Sequence, residues 1–111
     1  MKHAKLNDMT RGWFVGMFTP SIFFSKNCEV GVKSYKKGDK ELEHFHKIST
    51  EITLIISGQA KMMGKVWSEG DIILIEPNES TSFSALTDVL TVVIKFPAAH
   101  NDKYFSSSNE K

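Results

Sequence analysis

The sequence predicts a single all-β domain, built as a sandwich, a jelly roll or a closed barrel. From residue 11 onward, apolar residues come in short runs separated by Gly, Pro, Asn, Asp or Ser, a pattern typical of many short strands. No helix-sized window keeps a period of 3.6 residues. Its 111 residues, 41% of them hydrophobic, suit one domain with its own core. So many strands in so short a chain favour closure or two packed sheets, because both arrangements protect strand edges.

Ten strands are predicted from these runs. They span residues 12–18, 21–24, 30–35, 42–47, 52–56, 60–63, 65–67, 71–75, 82–86 and 89–96. The runs 52–56 and 71–75 are nearly all apolar and rich in β-branched residues. Both of their faces are therefore expected to be covered, one by the interior and the other by a second sheet or a partner subunit. This pattern predicts a homodimer. Between 60–63 and 65–67, a hairpin turn is expected at Gly64 and Lys65, since glycine allows a positive φ.

The domain is expected to occupy residues 1–111, with a core at about 11–97 and a flexible polar C-terminal tail. A formal charge of +1 argues against nucleic acid as a partner, because phosphate binding needs a strong positive field. No apolar run approaches the ~20 residues of a membrane span. A lone Cys28 allows no internal disulfide, which fits a cytoplasmic protein.

The chemistry in this sequence centres on His44 and His46, followed by Glu51. Residues two apart in a strand point to the same side, so both imidazoles are expected to project together. A carboxylate from Glu51, after a short bend at 48–50, completes two-His-one-carboxylate ligation of the kind that suits a divalent metal. The alternatives are that both histidines are ordinary polar strand residues, and that Glu51 is either an exposed strand-start charge or a salt-bridge partner of Lys47.

These residues carry a resemblance to the cupin superfamily. The first motif of that family reads G-x5-H-x-H-x4-E-x6-G, and Gly38, His44, His46, Glu51 and Gly58 fill its fixed positions at the same spacing. The resemblance covers roughly residues 30–96 and implies a double-stranded β-helix, the jelly-roll barrel of cupins. It also implies that His44, His46 and Glu51 are metal ligands.

The second cupin motif, G-x5-P-x-G-x2-H-x3-N, is only partly kept. Gly70 stands in place, whereas Glu76, Asn78 and Ala85 occupy its proline, second glycine and asparagine positions. Asn78 tolerates a left-handed backbone, so the turn is expected to survive. The histidine that supplies the remaining metal ligand in typical cupins falls on Thr81. The expected cofactor is thus a divalent metal (Fe, Mn, Zn or Ni) that is weakly held or absent.

The resemblance implies two classes of function. One is a metal-dependent enzyme, such as an isomerase or epimerase, a lyase or a dioxygenase, acting on a small polar and sugar-like molecule. The other is a non-catalytic binding module with a degenerate metal site. In either case the partner is a small molecule bound inside the barrel, and the sequence does not decide between the two classes.

Four further features have both a functional and a plain interpretation. Thr81 is expected to line the pocket or to satisfy a turn, and Glu76 is a candidate acid/base residue if it reaches the pocket. The segment 11–16, which contains Trp13, either offers an aromatic platform to a sugar ring or belongs to the core or a dimer contact. A basic cluster beside Gly38 is expected to be a solvated face. It consists of Lys33, Lys36, Lys37 and Lys40.

Overall fold

The fold is described by a computed structural model that covers residues 1–106. The tail predicted to be flexible lies in part at 107–111, outside the described residues. A short 3-10 helix, Leu6–Asp8, precedes the strands. The strands are β1 Trp13–Gly16, β2 Phe23–Phe24, β3 Glu29–Tyr35, β4 Lys40–Phe45, β5 Thr50–Ser57, β6 Gln59–Met62, β7 Lys65–Ser68, β8 Ile72–Ile75, β9 Thr81–Ala85, β10 Val89–Phe96 and β11 Tyr104–Phe105. Nearly all ordered structure is therefore β, and each of the ten predicted strands overlaps one of these.

The strands form two sheets that face each other. A six-stranded sheet has the order β2–β1–β3–β10–β5–β8, and a five-stranded sheet has the order β11–β4–β9–β6–β7. All pairings are antiparallel except that of β1 with β2. Consecutive strands often lie in opposite sheets, as β4 and β5 do. This exchange between sheets places His46, just after β4, across the interior from residues of β5.

The hydrophobic core fills the space between the sheets. Alternation along β5 and β10 directs every second side chain inward, so that Ile55 is fully buried and Val89 nearly so. The core cluster also contains Met62 and Phe83, which line the cavity described below. Its remaining members are Ala60, Ile75 and Ala85. The packed core therefore forms the floor of that cavity.

The outer face of the six-stranded sheet is apolar and open in the single chain. Ile72 and Leu74 of β8 are 70% and 55% exposed, and Ile56 of β5 is 40% exposed. In the register of the sheet, Leu54 pairs with Ile72 and Ile52 with Leu74. Within residues 1–106, the inner face of these two apolar strands is covered, whereas the outer face is half-buried at Ile52 and Leu54 and exposed at Ile72 and Leu74.

Two local features differ from the sequence prediction. The β6–β7 hairpin turns at Met63 and Gly64, with φ of 49° and 82°, rather than at Gly64 and Lys65. Two successive positive φ values define the turn type that best fits strand twist, and this constraint places the turn one residue earlier. β11 was not predicted, and it pairs with β4 at Phe45 and His44. Residues 1–106 include no helix with the length and apolar character of a membrane span.

Candidate functional site

A cavity of about 240 Å³ opens between the two sheets above the core. Two groups of side chains face each other across it. The imidazole wall consists of His44, His46 and Thr81, which come from the five-stranded sheet or directly follow its strand β4. The lysine wall consists of Trp13, Lys33 and Lys95, which come from the six-stranded sheet. The other lining residues are Arg11, Tyr35, Glu41, Glu51, Thr53, Met62, Ser82, Phe83, Thr91, Val93 and Lys103.

Both histidines of the imidazole wall have a defined ring orientation. The Nδ1 atom of His44 lies 2.8 Å from the carbonyl oxygen of Leu42, and that of His46 lies 2.6 Å from the carbonyl oxygen of Asp102. A carbonyl only accepts, so each Nδ1 carries the proton and donates it. Burial lowers the pKa of His44, which favours its neutral ring. The neutral ring of His44 then directs its Nε2 lone pair away from its carbonyl partner, as a metal-binding imidazole does. The Nε2 atom of His46 likewise lies on the side of the ring away from the Asp102 carbonyl.

His46 and Glu51 approach each other across the cavity from the two sheets. The Nε2 of His46 lies 3.3 Å from Oε1 of Glu51, and it is buried without a hydrogen-bond partner in residues 1–106. The other carboxylate oxygen, Oε2, accepts a hydrogen bond from the Thr53 hydroxyl at 3.0 Å. Burial raises the pKa of Glu51, but the contact with His46 and the positive charge of Lys95 outweigh it, and the net pKa is lowered. The carboxylate is therefore ionised.

The Nε2 atom of His46 and the ionised carboxylate of Glu51 attract each other only when a proton on Nε2 or a metal ion lies between them. Two ligand atoms bound at about 2.1 Å to one metal are about 3.0 to 3.4 Å apart, depending on the coordination geometry. The 3.3 Å between His46 and Glu51 fits such a pair. His44 has the matching tautomer, and its ring centroid lies 5.5 Å from that of His46. However, residues 1–106 contain no group of three His, Cys, Asp or Glu side chains already arranged around one ion. The donors suit a metal, but the set is incomplete.

Glu41 enters the cavity through an irregularity in β4. Glu41 pairs with Phe83 and His44 with Thr81, so β4 has one more residue than β9 over this stretch. Such a β-bulge cancels strict alternation and turns Glu41 to the same side as His44. The carboxylate accepts a hydrogen bond from the Tyr35 hydroxyl at 2.8 Å. Burial, and then the charge of Glu41, raise the pKa of Tyr35, so its hydroxyl stays protonated and donates.

The other predicted pocket residues are divided between the cavity and the surface. Thr81 is buried, lies directly opposite His44 in the β4–β9 pair and lines the cavity. Glu76 is exposed, its backbone N–H donates to the Glu79 carboxylate, and it does not belong to the cavity lining in residues 1–106. Asn78 has a φ of 73°, which confirms the turn expected there. The sequence thus brought four of its five candidates together, and Glu76 lies apart.

Asp102 supports the site from the chain beyond β10. Its carboxylate accepts hydrogen bonds from the backbone N–H groups of Lys47, Ile48 and Ser49 at 2.9 to 3.1 Å. Its own carbonyl orients His46. Packing therefore continues past residue 97, the limit predicted for the core. A single aspartate in a non-periodic segment gave no signal in the sequence.

Comparisons with known proteins show which fold this architecture has. No protein-family model matches the chain, and no curated protein matches it. Among solved structures, a Klebsiella pneumoniae protein with a double-stranded β-helix domain aligns with a TM-score of 0.68 at 17% identity, over 74% of this chain and 72% of its own. A sugar phosphate isomerase of the cupin superfamily from Silicibacter pomeroyi aligns with a TM-score of 0.64 at 16% identity, over 73% of this chain and 57% of its own. The chain has the cupin fold.

A third cupin-like alignment extends further along the chain. The DMSP lyase DddQ from Ruegeria pomeroyi aligns with a TM-score of 0.71 at 14% identity, over 87% of this chain but only 51% of its own. At such low identity these similarities concern the fold alone. They confirm the double-stranded β-helix predicted from the glycine and histidine spacing. The cupin barrel also explains why the imidazoles and Glu51 face the same interior, since its two sheets enclose a single cavity.

Proposed function

We propose that this cupin binds a small polar, sugar-like molecule in its cavity, beside a weakly held divalent metal ion bound by His44, His46 and Glu51. The proposed reaction class is a metal-dependent isomerisation or epimerisation, a lyase reaction or a dioxygenation. The observation that supports the proposal most directly is the buried Nε2 of His46, which faces the ionised carboxylate of Glu51 at 3.3 Å without a hydrogen-bond partner in residues 1–106. A metal ion bound there would interact favourably with both atoms.

The chain's own residues have distinct parts in this proposal. When bound, a divalent ion supplies Lewis-acid polarisation of a substrate oxygen. Thr81 offers a hydroxyl to the substrate opposite His44. Glu41 is the proposed proton-transfer group, because it is a cavity carboxylate apart from the proposed metal ligands and its Tyr35 partner fixes its position. Glu76, the earlier candidate for this role, is exposed and lies outside the cavity.

A non-catalytic binding module is the second candidate, and Thr81 favours it. A neutral hydroxyl stands where typical cupins place a third imidazole, directly opposite His44. Without that ligand the metal is held weakly or not at all, and the cavity then only recognises its ligand.

Metal content separates the two candidates. The protein is purified without chelator, its metal is quantified by mass spectrometry, and the metal-free form is titrated with Fe(II), Mn(II), Zn(II) and Ni(II). Near-stoichiometric binding is expected, and His44→Ala, His46→Ala and Glu51→Gln are each expected to weaken it by more than about 100-fold, because losing a ligand costs more than losing its supporting contact.

The matched control is His100→Ala, which removes an exposed imidazole that does not line the cavity. Its metal affinity is expected to equal that of the unmodified protein. Protein that stays metal-free under all four titrations would overturn the metal proposal and favour the binding module. Equal losses in His100→Ala and His46→Ala would indicate non-specific binding.

A homodimer formed through the outer face of the six-stranded sheet is also proposed. Ile72, Leu74 and Ile56 form an exposed apolar surface there, and a second copy of the same surface would bury it symmetrically. Ile72→Glu is expected to give a monomer in sedimentation experiments, whereas Val66→Glu, at an exposed residue of the other sheet, leaves the dimer intact. If the unmodified protein is already a monomer, the dimer proposal is excluded.

A cytoplasmic location is also proposed, because the lone Cys28 allows no internal disulfide.

A further inference from the structure

The cavity has more positive than negative side chains. Four cations line it, Arg11, Lys33, Lys95 and Lys103, against two carboxylates, Glu41 and Glu51. Both carboxylates already have partners, Tyr35 for Glu41, and Thr53 with His46 for Glu51. The two imidazoles not counted, the cavity therefore has an excess of two positive charges.

Within residues 1–106, none of these four cations has a carboxylate within 4.0 Å. The one contact of that kind in this part of the chain is between His46 and Glu51, and it involves none of them. Lys95 lies between Glu29 and Glu51 in the strand register, but neither carboxylate comes that close. Glu29 instead accepts the backbone N–H of Ala99. Lys33 has Thr91 as its register partner on β10.

The lysine wall converges on one aromatic ring. The Nζ atom of Lys33 lies 5.6 Å from the centroid of Trp13, and that of Lys95 lies 5.1 Å from it. Gly31 makes room for this arrangement, since a Cβ atom there would lie 2.7 Å from the Trp13 ring. Each ammonium group is attracted to the face of the indole, whereas the two positive charges repel each other.

Lys33 is also partly removed from water. Burial lowers its pKa, and the charges of Arg11, Lys103 and Lys95 lower it further, against the opposing effect of Glu41. The positive charges of this cluster repel each other, and they are half-buried and face a cavity. Binding of an anion is therefore expected to stabilise them. The prediction of a solvated face is therefore wrong for Lys33, whereas Lys36, Lys37 and Lys40 are exposed as expected.

From these observations we infer that the ligand of this cavity carries an anionic oxygen group, a carboxylate or a phosphate, which is bound between Lys33 and Lys95 beside Trp13. The inference rests on the proposed small-molecule function and adds the charge class of the ligand. A cavity of about 240 Å³ suits a small metabolite, since drug-sized ligands occupy roughly 300 to 1,000 Å³. The uncharged part of the ligand then faces the imidazole wall.

Inorganic phosphate and acetate are suitable probes, because they isolate the two anionic groups. Metal is first removed on a chelating resin, so that binding to a metal ion cannot contribute. Each anion is then titrated while the indole N–H signal of Trp13 is followed by NMR, with Trp67→Phe used for assignment. Saturable binding of at least one anion is expected, and it weakens as ionic strength rises. The anion that binds with the higher affinity indicates whether the ligand carries a phosphate or a carboxylate.

Charge-removing variants locate the binding. Lys33→Gln and Lys95→Gln are each expected to lower the affinity by about tenfold, equivalent to about 1.4 kcal/mol. The matched control is Lys65→Gln, an exposed lysine of β7 that does not line the cavity, and its affinity should not change. The variant Lys33→Arg keeps the positive charge, so it should retain anion binding if the charge of the side chain matters and its shape does not.

Two results would overturn the inference. One is the absence of saturable binding by either anion in a protein whose NMR spectrum is that of a folded chain. The other is an equal loss of affinity in Lys65→Gln and Lys33→Gln, which would mean that the whole surface attracts anions. Neither result concerns the metal titration, so a metal-binding protein that ignores both anions would keep the proposed function with an uncharged ligand.

Discussion

The two walls of the cavity are built in opposite ways. Two of the three residues of the imidazole wall, His44 and His46, come from one short stretch of chain, and each has its ring orientation fixed by a backbone carbonyl. The lysine wall takes its three residues from β1, β3 and β10, and within residues 1–106 its charges are without a close counter-ion. The first wall is proposed to hold a cation together with Glu51 of the opposite sheet, whereas the second is proposed to bind an anion. Rings oriented by nearby carbonyls and charges gathered from distant strands are two different ways to build a binding wall, and each wall can be tested by itself.

The largest effect is expected from Asp102→Asn, which alters the support of the imidazole wall. The variant loses the charge that three buried or partly buried N–H groups contact, so unfolding should require about 1 to 3 kcal/mol less free energy. Metal affinity should fall by about tenfold, because the carbonyl that orients His46 belongs to the same residue. Phosphate binding at the lysine wall should not change. Chemical denaturation and the two titrations measure these quantities.

The same aspartate predicts a pH dependence. Burial raises the pKa of Asp102, but the three backbone N–H groups outweigh it and hold the pKa below its ordinary value of 3.8. A depressed pKa in the folded state contributes stability that is present above the ordinary pKa and is lost as pH falls through the lower one. The stability difference between the unmodified protein and Asp102→Asn should therefore shrink in acid. Asp88→Asn is the control, since Asp88 is exposed and accepts one N–H, from Lys37; a matching acid response there would contradict the assignment.

A smaller effect is expected from Thr81→His, which adds to the imidazole wall. Residues directly opposite in an antiparallel pair have Cβ atoms about 5 Å apart, so a new imidazole at 81 lies beside that of His44. Metal affinity should rise by about tenfold, or about 1.4 kcal/mol, with phosphate affinity unchanged. Ser84→His places the same side chain further along β9 and should give no gain. An equal gain in both variants would mean that position 81 has no special geometry.

The smallest effect concerns the pH response of the lysine wall. Because burial lowers the pKa of Lys33 below its ordinary value of 10.5, this lysine loses its charge at a lower pH than an exposed lysine does. Phosphate affinity should decline as the pH rises toward 10.5, and the decline should begin at a lower pH than an ordinary lysine would give. Phosphate itself remains a dianion over this range. Lys33→Arg should reduce that decline, since a guanidinium stays charged. An identical decline in both proteins would assign the response to another of the cavity cations.

Much of the fold and half of the site were predictable from local patterns. The ten apolar runs predicted strands, because alternation and turn residues act over only a few positions. The two-residue period of a strand predicted that His44 and His46 share one side, and the resemblance of Gly38, His44, His46, Glu51 and Gly58 to the cupin motif implied the barrel. The bulge that turns Glu41 inward left no such mark. Strict alternation would have placed Glu41 on the opposite side from His44.

What the sequence by itself determined is the β class, the cupin resemblance and the identity of the donor atoms near His46. Only the tertiary structure decided that Trp13, Lys33 and Lys95 meet, that Asp102 returns to support the histidines, and that Glu76 lies at the surface. The physical reason is the length scale of the interactions. Hydrogen-bonded strands and turns depend on neighbouring residues, whereas a cavity between two sheets gathers charges that are tens of residues apart, and no local pattern specifies their separation in space.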